Sequence, residues 1–372
     1  MLHVEKPARS ALDGTDSLQL TDITADAARL PGFDGHEQVW LGRDRARGLT
    51  AIVAIHDTTL GPALGGTRIW AHDTLDAAIT DALRLSRGMT CKSAIAGVPF
   101  GGGKAVIRAD ARTQKTPELL EAYADMLAAL QDRFFTGEDV GLTVADADFL
   151  RQHTPNVAGT TIGGSGNPSP VTALGVFLGL KAAVRHRYGS DVTGELTIAV
   201  QGLGSVGWAL CEMLHETGAH LTVTDIDQAR CRQAGDRFGA RIVAPDAILQ
   251  ADADIFAPCA LGGVLTPGTI ADLKAGIVAG SANNQLADEA DAERLQARGV
   301  LYAPDYVINA GGLINVAAEL APGGYDREDA LARVDHIDDI LTTIFRRGDE
   351  TGEPTNRIAE AIAAERLAGA KV

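Results

Sequence analysis

A chain of 372 residues, 45% hydrophobic and 22% charged, holds enough apolar material for two ordinary globular domains. Its net charge of −16 argues against non-specific binding to nucleic acid, and no run approaches the roughly 18 apolar residues of a membrane-spanning helix. The four cysteines (Cys91, Cys211, Cys231, Cys259) are scattered, with no C-x-x-C or Cys/His cluster to bind a metal. Together with the absence of an apolar leader, this points to a reducing, cytoplasmic setting.

Residues 1–30 are polar and irregular and read as a loosely packed extension with a short helix. Gln38–Leu41 and Leu49–Ile55 read as strands joined by a turn over Arg43–Gly48. The glycine-rich run Leu60–Arg68 reads as a loop that offers backbone groups to a ligand or to another segment. A helix opens with a cap at Asp73 or Thr74 and repeats Leu75, Ala78, Ile79, Ala82 and Leu83 on one face. Lys92 falls near or just after its end. A second amphipathic helix covers Pro117–Leu130, and a short strand at Phe134–Phe135 runs into Thr136-Gly-Glu-Asp139. Carboxylates in that position, Glu138 and Asp139, serve either as a turn or helix cap or as a strand-end acid.

The stretch Leu85–Ile107 stands out. Lys92 and Lys104 lie among Met89, Ile95, Val98, Phe100, Val106 and Ile107, and Gly101–Gly103 form a loop before a strand that carries Lys104. Lysine is rarely buried without a role, yet the same pattern also fits a glycine turn with two lysines that snorkel to the surface.

The segment Thr160–Ser169 is rich in glycine and serine and reads as a hinge or linker. An apolar helix follows over Pro170–His186. The second half alternates strands with helices, at Leu196–Val200, Leu221–Asp225, Ile242–Val243, Asp254–Ala257, Ile277–Gly280 and Leu301–Tyr302, the signature of a mostly parallel sheet. Beyond about Asp326 the chain is helical.

Gly202-Leu203-Gly204-Ser205-Val206-Gly207 follows the first of these strands and opens a helix. In that context the glycines have separate uses: a tight turn at Gly202, close approach to a pyrophosphate at Gly204, and helix–sheet packing at Gly207. Asp225 lies 18 residues after Gly207, at the end of the second strand. An acid there accepts from a ribose hydroxyl and repels a 2′-phosphate, which favours NAD over NADP.

Seven motifs together resemble the Glu/Leu/Phe/Val amino-acid dehydrogenases, closest to the leucine, phenylalanine and valine branch. They are Gly61–Gly66, Arg87–Lys92, Phe100–Lys104, Thr136–Asp139, Gly164–Pro170, Gly280–Gln285 and Ala303–Gly312. The resemblance implies that Lys104 is the catalytic lysine and that Asp139 manages protons on the amino group. It implies that Lys92 binds the substrate carboxylate near Gly65, beside Met89, and that Asn283 and Asn309 line the reacting centre. It further implies cofactor contacts at Thr172, Cys259, Ala260, Ala282, Asn283, Ile226 and the Gly202–Gly207 turn. Burial and a neighbouring ammonium, supplied by Lys92, would both lower the Lys104 pKa toward that of a working base.

The implied reaction is NAD-dependent oxidative deamination of an L-amino acid to its 2-oxo acid and ammonium, by a homo-oligomer that needs no metal and engages neither nucleic acid nor membrane. The side-chain pocket falls to Leu64, Gly137, Leu313 and Val316. Within the resemblance, the glycine/leucine pair at 137 and 313 is similar to phenylalanine dehydrogenases, where leucine and valine enzymes tend to have alanine and valine. A branched-chain enzyme is the alternative, and a non-catalytic NAD or amino-acid sensor a distant one. The expected fold class is α/β with two domains and a cleft between them. A substrate, catalytic and oligomerisation domain covers 1–160, with helices of 335–372 returning to it, and a Rossmann-type NAD domain covers 161–334.

Overall fold

The computed structural model describes residues 17–370. Contacts divide the chain into two compact units. Among the described residues, the first holds 17–58, Pro62–Met89 and Gly102–Val157; the second holds Thr59–Gly61, Thr90–Gly101 and 158–370. Of the N-terminal extension, residues 1–16 lie outside the described residues, and the rest supplies a strand and one helical turn.

The elements of the first unit are β1 (Gln19–Asp22), α1 (Thr24–Ala27), β2 (Gln38–Asp44), β3 (Leu49–Asp57), β4 (Ala63–Leu64), β5 (Thr67–Ile69), α2 (Leu75–Ala96), β6 (Gly101–Ile107), α3 (Pro117–Leu130), β7 (Phe134–Phe135) and α4 (Val144–Arg151). The sheet runs β1-β2-β3-β6-β4-β7, with β5 also paired to β6. It is covered on both faces, which is why β3 over Ala51–Ile55 and β6 over Ala105–Ile107 read as apolar runs rather than alternating. Ala51, Val53, Ile55, Ala105 and Ile107 pack against Tyr123, Met126 and Leu127 of α3 and Leu150 of α4. Ile52, Ala54 and Val106 pack against Ala78, Ile79, Ala82 and Leu83 of α2.

Three sequence expectations change here. The glycines 101–103 are not a loop: β6 begins at Gly101, and Gly103 pairs with Ile55 of β3. A side chain at 103 would strike the Phe134 ring, whose nearest carbon lies 2.7 Å from the Cβ position, so packing across the sheet is what demands glycine there. Lys92 lies within α2, which runs on to Ala96. The run 60–68 contains two short strands, and α4, absent from the sequence reading, opens with a reciprocal cap between Thr143 and Asp146.

The second unit contains α5 (Ser169–Tyr188), β8 (Thr197–Gln201), α6 (Ser205–Glu216), β9 (His220–Thr224), α7 (Gln228–Phe238), β10 (Arg241–Ile242), β11 (Ile255–Pro258), α8 (Pro267–Asp272), β12 (Ile277–Val278), α9 (Asp291–Ala297), β13 (Leu301–Tyr302), α10 (Asp305–Ile308), α11 (Gly311–Glu319), α12 (Arg327–Val334), α13 (His336–Thr351) and α14 (Thr355–Ala370). Its sheet order is β10-β9-β8-β11-β12-β13, parallel throughout. Strand order therefore reverses between β8 and β11, the point where doubly wound sheets bind ligands.

The helices beyond 335 belong to this second unit, whereas the sequence reading returned them to the first. An amphipathic pattern tells that a face is buried but not against what. On α13 that face is Ile337, Leu341, Ile344 and Phe345. It packs against α5, where glycines make room: a Cβ at Gly175 would lie 2.7 Å from Ile337 and one at Gly179 2.6 Å from Leu341. On α14, Arg366 donates to the carbonyls of Ala94 and Ile95 at 2.8 and 2.6 Å, tying the end of α2 into the same unit. Among the described residues no helix is long and apolar enough to cross a membrane.

Candidate active site

In the first unit, β6 carries Lys104 into the interior, where it is 7% exposed. Its Nζ lies 2.7 Å from Asp139 Oδ2. Asp139 sits in a tight reciprocal turn with Leu142 and caps no helix, so its backbone fits the turn half of the first reading, while its side chain meets Lys104. Burial pushes the Asp139 carboxyl up, but the charge and contact of Lys104, with Arg68 behind, outweigh it and leave it below the ordinary range. At the adjacent Glu138, burial and the Asp139 charge push the carboxyl up. Gly65 packs on the same strand: a Cβ there would lie 1.8 Å from the Gly103 carbonyl oxygen and 3.3 Å from Met89. Leu64 is buried on β4, and the Gly137 carbonyl accepts from Thr67 N at 3.0 Å. The first unit thus gathers Lys104, Asp139, Gly65, Met89, Leu64 and Gly137.

Lys92 falls in the second unit. Its Nζ donates to Asn309 Oδ1 at 2.6 Å. Asn309 in turn donates from Nδ2 to Asn283 Oδ1 at 2.7 Å and to Ser281 O at 3.1 Å. One cation and two amides therefore form a chain in which each group fixes the next. Leu313 and Val316 lie on α11, half-buried, the helix that follows Asn309.

The glycine turn sits between β8 and α6, beside β11. Gly202 has φ +98°, and a Cβ there would lie 2.8 Å from Ala260. A Cβ on Gly207 would lie 2.0 Å from the Gly202 carbonyl oxygen. Gly204 differs: it is the N-cap of α6, and nothing lies within 4 Å of its Cβ position. Two of the glycines are therefore required by the fold itself, and the third leaves space at a helix N-terminus, where the backbone N–H groups of Ser205 and Val206 begin the first turn. That is the environment a pyrophosphate needs. Cys259 and Ala260 follow β11 on the other side of the reversal, Ala282 donates its N–H to Pro258 O at 2.9 Å, and Thr172 lies on the first turn of α5.

Asp225 does more than the sequence indicates. Its Oδ2 accepts from Leu203 N at 2.6 Å and its Oδ1 from Asp227 N at 2.8 Å, so this carboxylate braces the glycine turn. Arg230 of α7 donates to the Leu203 carbonyl from the same side. Ile226 is 93% exposed, and Leu261, which the sequence reading missed, is 87% exposed. Large apolar side chains left in water on the loops after β9 and β11 suit a flat aromatic base. The signal for Leu261 was its place two residues after Cys259 in a strand-end loop. The residues present fit a dinucleotide.

Two family models match the chain. One, described as Glu/Leu/Phe/Val dehydrogenase, dimerisation domain, matches residues 36–184; the other, Glutamate/Leucine/Phenylalanine/Valine dehydrogenase, matches residues 232–372. Leucine dehydrogenase of Bacillus subtilis is 49% identical over 89% of this chain and 91% of its own length. L-tryptophan dehydrogenase of Nostoc punctiforme is 49% identical over 91% of this chain and 95% of its own. The crystal structure of L-tryptophan dehydrogenase from that organism matches with a TM-score of 0.81 and 47% identity, over 91% of this chain and 97% of that one. Phenylalanine dehydrogenase of Bacillus thermotolerans is 42% identical over 93% of this chain and 92% of its own. With both halves matched and the likeness running through almost the whole length, the chain belongs to the Glu/Leu/Phe/Val dehydrogenase family, whose members are amino-acid oxidoreductases.

Proposed function

We propose that the chain oxidises a large apolar L-amino acid with NAD⁺ and water to the 2-oxo acid, ammonium, NADH and a proton, reversibly. The observation that carries this reading is the pair of buried Lys104 and half-buried Asp139 at 2.7 Å. A bound nicotinamide supplies the hydride acceptor. Lys92 anchors the substrate carboxylate. Once Cα has lost its hydride, Lys104 Nζ takes a proton from the water that attacks the resulting imine. Asp139, ionised at the outset, takes a proton from the substrate ammonium before hydride leaves Cα and returns it to the departing nitrogen. Asn309 and Asn283 orient the substrate through the chain that fixes Lys92.

Asp225 supports NAD over NADP, because its carboxylate lies at the end of β9 where a 2′-phosphate would meet a negative charge. Gly137 and Leu313 support an aromatic side chain: the glycine omits a methyl and the leucine supplies an apolar wall. The 49% identity to a tryptophan dehydrogenase accords with that. A branched-chain substrate is the second reading, favoured by equal identity to a leucine dehydrogenase against 42% to a phenylalanine dehydrogenase. The matched dimerisation domain supports self-association. The four free cysteines accord with a cytoplasmic setting.

The test is absorbance at 340 nm with NAD⁺ or NADP⁺ and a panel of L-amino acids. We expect kcat/KM for phenylalanine or tryptophan to exceed that for leucine and valine, and NAD⁺ to exceed NADP⁺. Leucine well above both aromatics would establish the second reading. An unchanged Lys104→Ala rate would sink the catalytic assignment.

A further inference from the structure

Behind the Lys104–Asp139 pair the first unit holds a line of alternating charges. Asp139 Oδ2, 2.7 Å from Lys104 Nζ, also lies 3.4 Å from Arg68 Nε. Arg68 Nη1 donates to Asp81 at 3.1 and 3.3 Å, and Asp81 Oδ2 lies 3.3 Å from His72 Nε2. The groups come from four places: Lys104 from β6, Arg68 from β5, Asp81 from α2 and Asp139 from the turn after β7. His72 follows β5, and Glu138 is the other carboxylate beside Asp139.

The spacing is rigid. Thr67 N donates to Gly137 O at 3.0 Å and Ile69 N to Val140 O at 2.8 Å, so main-chain bonds on either side of Arg68 zip β5 to the turn that holds Asp139. The Thr67 hydroxyl is bonded to those of Thr136 and Tyr123 at 2.5 and 2.6 Å, all three fully buried. A Cβ on Gly66 would lie 2.6 Å from the Glu138 carbonyl oxygen, leaving β5 no room to move toward the turn. Arg68 Nε and Asp139 Oδ2 are themselves buried and make no hydrogen bond of good geometry, so their interaction is one of charge.

We propose that Arg68 is a positioning residue for the reaction: its permanent charge keeps Asp139 ionised at the moment Lys104 loses its proton, and Asp81 tempers that charge. This rests on the assignment of Lys104 as base and Asp139 as acid. When Lys104 Nζ is neutral, Asp139 has lost its nearest cation, and Arg68 becomes its remaining counter-charge. Without Arg68 the Asp139 carboxylate holds the proton on Lys104 more tightly. Without the Asp81 charge, Arg68 acts at full strength and Lys104 releases its proton more readily.

The test is the pH dependence of kcat and kcat/KM for the wild type, Arg68→Gln, Arg68→Lys and Asp81→Asn, with melting temperatures alongside. In Arg68→Gln the acidic limb should move up by about one pH unit, the order of shift that removing a neighbouring like charge produces at a titrating group. The rate should fall roughly tenfold on that limb and converge on wild type at alkaline pH, and Arg68→Lys should recover most of the loss. In Asp81→Asn the limb should move the other way, so the proposal stays testable even if Arg68→Gln does not fold. Limbs that stay in place, or rates that fall equally at every pH with Arg68→Lys no better than Arg68→Gln, would overturn it. Asp139→Asn separates the two layers. If that variant turns over normally, the underlying assignment fails; if it is inactive while the Arg68 and Asp81 profiles do not move, only the present inference fails.

Discussion

Gly65 faces the main chain of Gly103 so closely that a methyl built on it would lie 1.8 Å from the carbonyl oxygen. No rotation relieves this, because both partners are backbone. Gly65→Ala must therefore push β4 away from β6, the strand that carries Lys104. Overpacking of this kind costs about 1–3 kcal/mol. We expect a lower urea midpoint and a loss of turnover larger than the loss of stability accounts for. A variant with wild-type kcat and midpoint would show that β4 yields freely.

The glycine turn makes two opposite predictions. Gly207→Ala places a methyl 2.0 Å from the Gly202 carbonyl oxygen, so it should unfold the turn and lower the melting temperature. Gly204→Ala meets nothing within 4 Å and should melt like the wild type. Its methyl instead occupies the space proposed for the pyrophosphate, so NAD⁺ affinity should drop at least about tenfold, a loss of about 1.4 kcal/mol. Calorimetric titration beside a thermal melt reads both. Unchanged affinity in Gly204→Ala would remove the pyrophosphate from that position.

The Glu319 carboxylate, at the end of α11, accepts from Gly159 N and Ser165 N at 2.8 Å each, and from the Ser165 hydroxyl. The segment expected to be a hinge is thus wound around one side chain. Glu319→Gln turns an acceptor into a donor facing a main-chain N–H and should cost about 1–3 kcal/mol. We expect a lower melting temperature and faster proteolysis within residues 159–166. Equal cleavage rates would mean that the loop holds its shape without the carboxylate.

His36 is buried beneath α2, with Nε2 3.0 Å from Leu83 O and Ser86 Oγ. Burial, opposed by the Leu83 bond and assisted by the His56 charge, lowers its pKa from 6.5 to about 4. The unfolded chain therefore takes up a proton that the fold refuses. Stability contributed by the neutral ring is complete above pH 6.5 and is lost as pH falls from there toward 4, at no more than about 1.4 kcal/mol per pH unit. His36→Gln should flatten the fall in urea midpoint across that window; His56, lowered by burial as well, accounts for a remaining slope. An identical slope in the variant would rule His36 out as a contributor.

The second unit was legible in the chain because its physics is local. Strands buried on both faces read as apolar runs, and each expected strand from Leu196 to Tyr302 has its counterpart in β8–β13. The first unit was less so. Gly101–Gly103 look like a turn in isolation, and only Phe134 and Gly65, distant in sequence, make them strand residues. Lys104 and Asp139 were each found, but their pairing follows from where β6 and the turn after β7 meet. Arg68, Asp81 and Glu319 went unremarked, since an exposed helix face or loop carries the same residue types, and nothing in their spacing shows the partner.

Asp225 has a practical consequence for altering the cofactor. The carboxylate that would discriminate against a 2′-phosphate is also the acceptor that pins Leu203 N, at 2.6 Å. Replacing it to admit NADP would remove the brace from the glycine turn in the same stroke. A redesign of this pocket must supply a new acceptor for that amide before it supplies a new cation for the phosphate.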